Sequence, residues 1–219
     1  MQLKEYILNN LEYFDLSSNI QDTNESIEKH RFSHLPIIEN NKLVGAIAES
    51  DLSTIEEVHK PLSDYTYLFS YFFAKEDDNL MELITLFSIH DTNILPVIDK
   101  EKNFLGYYDL SDILTVYAET PYIREEGIVL LIEKDNTSYT MSEVSQIIES
   151  NKGKLLGAIV AGSSEKRTQI LVKIKAENSN EIIQSFRRYA YNVLSKHKED
   201  RYLEDLKKRS EYLQKYLNM

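Results

Sequence analysis

Surface chemistry needs acids, bases, nucleophiles or metal ligands at workable spacing, and this chain of 219 residues offers few. It contains no cysteine, which removes disulfides, thiol nucleophiles, Cys-ligated zinc and iron–sulfur clusters. His30 and His34 stand four apart, the spacing that holds a metal when both lie on one helix. Pro36 follows and a strand is expected to begin near Leu35, so the pair does not share a helix. His90 repeats His30 at an offset of 60, which points to a common structural place at a helix end. No Gly-x-Gly-x-x-Gly, P-loop, His-Glu-x-x-His or Gly-x-Ser-x-Gly occurs, and six glycines leave little room for a phosphate-cradling loop. The sequence therefore supports neither a catalytic residue nor a metal site, and the expectation is a protein that is not an enzyme. What remains is a set of carboxylates, Asp51, Asp109 and Asp112, each placed just after a glycine and a short apolar stretch.

The elements that position these acids come from an internal repeat. His34-Leu-Pro-Ile-Ile-Glu39 matches Ile94-Leu-Pro-Val-Ile-Asp99 at an offset of 60. A polar turn follows each, then an apolar pair and a glycine, so that Leu43-Val44-Gly45 matches Phe104-Leu105-Gly106 at an offset of 61. Gly45-Ala-Ile-Ala-Glu-Ser-Asp51-Leu52 then aligns with Gly106-Tyr-Tyr-Asp-Leu-Ser-Asp112-Ile113. Upstream, Ile20 to His30 and Leu80 to His90 carry apolar residues at helical spacing. In the second, Leu80, Leu83, Ile84 and Phe87 form one face, and Asp78 or Asn79 serves as N-cap. Each repeat reads as helix, short strand, turn, short strand, helix, with its proline at a strand start where a missing N–H is tolerated.

Two spaced copies of Leu-Pro-(Ile/Val)-Ile-(Glu/Asp), each followed by an apolar strand, Gly and an Asp six residues beyond it, resemble a tandem pair of CBS domains. The resemblance covers residues 1–118, with repeats of about 1–58 and 62–118. It implies a pair with pseudo-two-fold symmetry and two clefts that take adenosine-containing ligands such as AMP, ADP, ATP or S-adenosylmethionine. In nucleotide-binding members the glycine is followed by Ser/Thr-x-x-Asp, whose Asp accepts from the ribose hydroxyls. Here Asp51 and Asp112 keep the Asp, while the hydroxyl position is Ala48 in one repeat and Asp109 in the other.

Ala48 offers no polar side-chain atom. Asp109 sets a second carboxylate three residues from Asp112, which repels phosphate unless a cation intervenes. It can accept from a neutral diol or share Mg²⁺ with Asp112; alternatively it is a helix N-cap with Asp112 in the first turn. The expected ligand-contacting residues are Asp112, Asp109 and Asp51, with the backbone at Leu35, Pro36, Leu95 and Pro96 lining the base pockets. Adenosine, AMP or S-adenosylmethionine are the candidate regulatory ligands, and an uncharged adenosyl group fits better than ATP.

Glu119 to Gly127 carries Pro, Gly and charge and reads as a linker (119–127). Beyond it, Ile128 to Ile132 is an apolar strand, Thr140-x-x-Glu143 a capping box, and Val144, Ile147 and Ile148 a helix face. Lys154 to Val160 and Thr168 to Ile174 form a hairpin, Asn178-x-x-Glu181 starts a second helix with Ile182, Ile183 and Phe186, and Tyr191 to Leu194 a last strand. This βαββαβ order is ferredoxin-like. Over 128–198, beside a CBS pair, it resembles an ACT domain, as in acetoin-utilisation-type regulators. Amino-acid-binding ACT domains carry Asp-x-Pro-Gly after the first strand; this chain has Asp135-Asn-Thr-Ser, so a dimerising or scaffolding role stands beside amino-acid binding. Arg187-Arg188 complements a helix C-terminus. Residues 199–219 are helical in pattern, with Leu203, Leu206, Leu213 and Leu217 near heptad spacing and Ser210 in the seam. The fold class expected is α/β (α+β).

Charge divides at the same place. The net of −11 is −14 over residues 1–120 (8 Lys/Arg, 22 Asp/Glu) and +3 over 121–219 (17 Lys/Arg, 14 Asp/Glu). An acidic first half is no nucleic-acid partner. No apolar run reaches the ~20 residues of a membrane span, the longest, Tyr67 to Ala74, being broken by Ser70, and no export signal is visible. The sequence thus points to a cytoplasmic regulatory protein that binds an adenosyl ligand, with a ligand-free interaction module as the alternative. Both resemblances imply a homodimer; the regulated protein stays unnamed.

Overall fold

The computed structural model describes residues 3–10 and 13–195. The chain divides into two compact units, Met1–Thr120 and Pro121–Met219. The architecture is mixed α and β throughout.

In the first unit α1 (Ile20–His30), β1 (His34–Glu39), β2 (Lys42–Ala48) and α2 (Glu49–Leu52) make the first repeat. The second is β3 (Ala74–Lys75), α3 (Leu80–His90), β4 (Ile94–Ile98), β5 (Phe104–Asp109) and α4 (Leu110–Ala118). Asn79 closes a capping box on α3, accepting from the Glu82 N–H while the Glu82 carboxylate accepts from the Asn79 N–H. Leu83 and Phe87 are buried beneath it, flanked by Leu80 and Ile84. Both α1 and α3 end in a histidine followed by a residue in the left-handed region, Arg31 (φ 56°) and Asp91 (φ 46°).

β1 pairs with β2 and β4 with β5, each antiparallel and each bulged at the same relative position. The prolines lie at the third residue of β1 and β4, not at the strand start that their chemistry suggested. The register explains why they are tolerated there. Pro36 faces Ala46 and Pro96 faces Tyr107, and the N–H groups of Ala46 and Tyr107 turn outward, to Ser70 O (2.8 Å) and Leu8 O (2.9 Å). These are non-hydrogen-bonded pairs of the ladder, so no donor is missing from it.

Those outward bonds tie the repeats together. Leu8, ahead of α1, bridges β5 of the second repeat; Ser70, ahead of β3, bridges β2 of the first. Gly106 permits the first crossing, since its φ of 142° suits glycine alone and a Cβ there would overlap the Leu8 carbonyl. Equivalent residues also meet across the pseudo-two-fold: the Ser33 N–H donates to Asn93 Oδ1 (2.8 Å) and the Asn93 N–H to Ser33 Oγ (2.9 Å). At the other end Lys42 bridges Asn103. The cores exchange too. Ile94 and Tyr107 join the first repeat's cluster, while Leu3 and Ala46 join the second's.

The second unit opens with a short helix, α5 (Pro121–Arg124), and continues β6 (Ile128–Asp135), α6 (Met141–Ser150), β7 (Lys154–Ser163), β8 (Arg167–Lys175), α7 (Ser179–Arg188) and β9 (Asn192–Val193). Its sheet order is β7-β8-β6-β9, antiparallel at every step, the ferredoxin-like βαββαβ arrangement. One face is covered by α6 and α7 through Val144, Ile147, Ile148, Ile182, Ile183 and Phe186. Under that face Lys134 pairs with Glu143 (2.6 Å), which also accepts from the Tyr191 hydroxyl (2.7 Å). The helix expected over 199–219 lies outside the described residues.

Candidate functional site

Each repeat carries its glycine-plus-six aspartate into the first turn of the helix after its second strand, Asp51 into α2 and Asp112 into α4. Neither carboxylate has a hydrogen-bond partner among the described residues, and both are partly exposed. Asp109 differs. It is the N-cap of α4, its Oδ1 accepting from the Ser111 N–H at 2.7 Å, the helix-capping alternative that its spacing allowed. In the first repeat Ala48 occupies the cap position of α2 with no side-chain bond.

Around Asp112 the structure gathers residues that the sequence did not flag. Tyr107 is 4% exposed, and its hydroxyl donates to Asn10 Oδ1 at 2.8 Å. Phe32 meets its ring edge-on at 5.7 Å. Burial first, then the charges of Asp109 and Asp112, push the Tyr107 phenol pKa up. The two carboxylates therefore act on one phenol that also touches the N-terminal leader. A tyrosine inside an apolar strand reads as core, and only the crossing of Leu8 onto β5 reveals its second role.

The cleft side of Asp51 is built from other chemistry. Ala46 stands where the second repeat has Tyr107. Phe72 is held between His90, stacked at 4.6 Å, and His34, edge-on at 5.3 Å. Burial lowers the His34 pKa below its usual value and the His90 charge works in the same sense, while Asp51 and Asp91 oppose it. The two clefts of the pair are thus chemically unequal.

Leu35, Pro36, Leu95 and Pro96 are buried strand residues, with Leu35 and Leu95 in opposite cores. His30 lies on α1 against Phe32 (5.3 Å) and His34 on β1. Among the described residues no three His, Asp or Glu side chains converge on a metal position. A depression of about 530 Å³ beside β3 is lined by Phe73, Lys75, Asp78, Glu82 and Asp99, and none of the predicted ligand residues faces it.

Residues 3–57 and 68–119 match the CBS domain family. The first unit is a tandem CBS domain pair. The chain is 24% identical over 164 residues to an inosine-5'-monophosphate dehydrogenase of Aquifex aeolicus, covering 73% of this chain and 34% of that enzyme. It therefore spans about a third of that relative's length. Among solved structures, a CBS domain pair/ACT domain protein of Thermotoga maritima is 20% identical with a TM-score of 0.48, over 54% of this chain and 98% of that one. The protein CBSX2, solved in complex with AMP, is 20% identical with a TM-score of 0.45, over 54% and 96%.

In the second unit the turn after β6 is closed on itself. Asp135 Oδ1 accepts from the Thr137 N–H (3.1 Å) and hydroxyl (2.8 Å). Asn136 donates to Ser164 O (2.7 Å) and accepts from Thr168 Oγ1 (2.6 Å). No helix among the described residues is long and apolar enough to cross a membrane.

Proposed function

We propose that the CBS pair is a ligand sensor whose second cleft binds an adenosyl group, Asp112 accepting from the ribose hydroxyls and the backbone at Leu95 and Pro96 facing the base. Asp51, with Leu35 and Pro36, forms a weaker first site. The observation that carries this reading is the Asp112 carboxylate, without a hydrogen-bond partner among the described residues and acting by its charge on a phenol already committed to Asn10. A neutral diol supplies the donors that such a carboxylate accepts. Asp109 decides the ligand's charge: two carboxylates at the start of α4 disfavour a phosphate chain, so among the candidates adenosine, AMP and S-adenosylmethionine an uncharged adenosyl group binds better than ATP. Binding would then shift the pairing of the CBS domains with the ACT-like unit or with a second copy of the chain, provided the ligand favours one arrangement.

The test is a thermal-shift series with adenosine, S-adenosylmethionine, AMP, ADP and ATP, the last with and without Mg²⁺. Ligand at about 100 times its dissociation constant adds about 2.7 kcal/mol of stability. A shift with adenosine or S-adenosylmethionine, absent in Asp112→Asn, is the expected result. A shift only with Mg²⁺ would mean a metal bridging Asp109 and Asp112. No shift with any of them would overturn the sensor reading and leave an interaction module with an acidic surface.

A further inference from the structure

The segment joining the two repeats presents more aromatic surface than its own packing uses. It passes through a 3₁₀ turn, Leu62–Leu68. The buried Leu62 fixes one end, its N–H donating to Ser18 O at 2.8 Å, and the backbone bonds between Ser70 and Ala46 hold the chain beyond the other. Between these anchors Tyr65 packs half-buried against the first core, while Tyr67 is 76% exposed. The two rings lie 6.4 Å apart at 42°. Single exposed aromatics are ordinary; a ring pair held out on an anchored backbone is contact surface prepared in advance. Acids stand around it. Burial and then the charge of Glu57 push the Tyr65 phenol pKa up, with Asp64 acting in the same sense and Lys60 against it. Lys60 is bonded to Glu57 at 2.6 Å, and the Asp64 carboxylate has no cation of its own among the described residues.

We infer that Tyr67, with Tyr65 and the Asp64 carboxylate beside it, is a docking point for an arginine side chain on a basic segment of a partner protein. Three arguments select that occupant. The chemistry is matched, since a guanidinium lies flat on an aromatic face while its N–H groups donate to a neighbouring carboxylate. The charge is complementary: residues 1–120 carry −14, with 8 Lys/Arg against 22 Asp/Glu. That field draws in a basic partner and turns away nucleic acid, an anionic lipid surface and a second copy of this chain, whose own net charge is −11. The shape is right as well. Tyr67 stands on open surface, which suits a side chain presented by a larger partner, whereas a free small cation is held by a pocket that encloses it.

The exposure of Tyr67 allows a test in the full, folded chain. Amide chemical shifts of the isotope-labelled protein are followed while the peptide amide Gly-Arg-Gly-Arg-Gly-Arg-Gly is added at low salt. The expected result is a set of shifts centred on residues 64–67 and a dissociation constant that rises about fourfold in Tyr67→Ser, through loss of a surface cation–π contact. Tyr67→Phe keeps the ring and should stay within about twofold of the parent. Tyr189→Ser, at an exposed tyrosine of the second unit, is the control and leaves the constant unchanged. Equal affinity in Tyr67→Ser and the parent, shifts centred on other acidic residues, or no binding at low salt would each overturn the inference. So would shifts at 64–67 that follow the chain's own concentration with no peptide present, which would name a second copy as the occupant.

Discussion

Tyr108 is wholly buried in the second repeat, and its hydroxyl has no hydrogen-bond partner among the described residues. Burial, then the charges of Asp78 and Glu76, push its pKa up to about 12, so the phenol stays neutral. An unpaired buried hydroxyl costs about 1–3 kcal/mol, which removal recovers. Tyr108→Phe is therefore expected to stabilise the protein by about 1 kcal/mol, read as a higher urea midpoint at unchanged m-value. His34 gives the opposite kind of group, one whose cost depends on pH. Its folded pKa lies below 6.5, mainly through burial, so between the folded and unfolded values the unfolded chain holds more protons. Stability is then full above the unfolded pKa and falls as pH drops through about 6.5 towards the folded value. Melting temperatures measured across that window should fall less steeply in His34→Gln; an unchanged slope would mean that another group titrates there.

At the scale of elements, the repeats differ most where strand passes into helix. Asp109 caps α4, which runs for nine residues, whereas Ala48 leaves α2 uncapped at four. Ala48→Ser restores an acceptor at a position whose backbone already has cap geometry (φ −75°, ψ 147°). It is expected to add about 1 kcal/mol to stability in chemical denaturation. The repeat, both long helices, a cap at Asp78 or Asn79 and the βαββαβ order were all legible, because they rest on local periodicity and on side chains that bond to neighbouring backbone. Asp109 was legible as two alternatives, and its bond to Ser111 adds weight to the capping one. The crossings of Leu8 and Ser70 were not legible. Each is a single bridge between residues far apart in sequence, made by backbone atoms that no side-chain pattern reports. Tyr107 was missed for the same reason, and α5 because Pro121 was read as linker punctuation when it opens a helical turn.

For the CBS pair as a whole, the leader crossing at Gly106 is the joint that makes two repeats one body. Gly106→Ala forces a side chain into the Leu8 carbonyl and a disfavoured φ. It should cost about 2–3 kcal/mol and, by hydrogen exchange, deprotect the Tyr107 amide, which donates to Leu8, more than the Ala46 amide, which donates to Ser70. Equal loss at both would show that the two crossings melt together.

The same joint sets an order of events during synthesis. Leu8 leaves the ribosome about 100 residues before its strand partner Tyr107 on β5. Until then the nascent first repeat lacks Ile94 and Tyr107 from its core. Long-range pairing of this kind is slow, and it leaves apolar surface and unpaired strands exposed while the chain waits. The first repeat thus finishes folding only when the second is there to receive its leader, so translation pausing between the repeats should favour aggregation, and pausing after residue 120 should not.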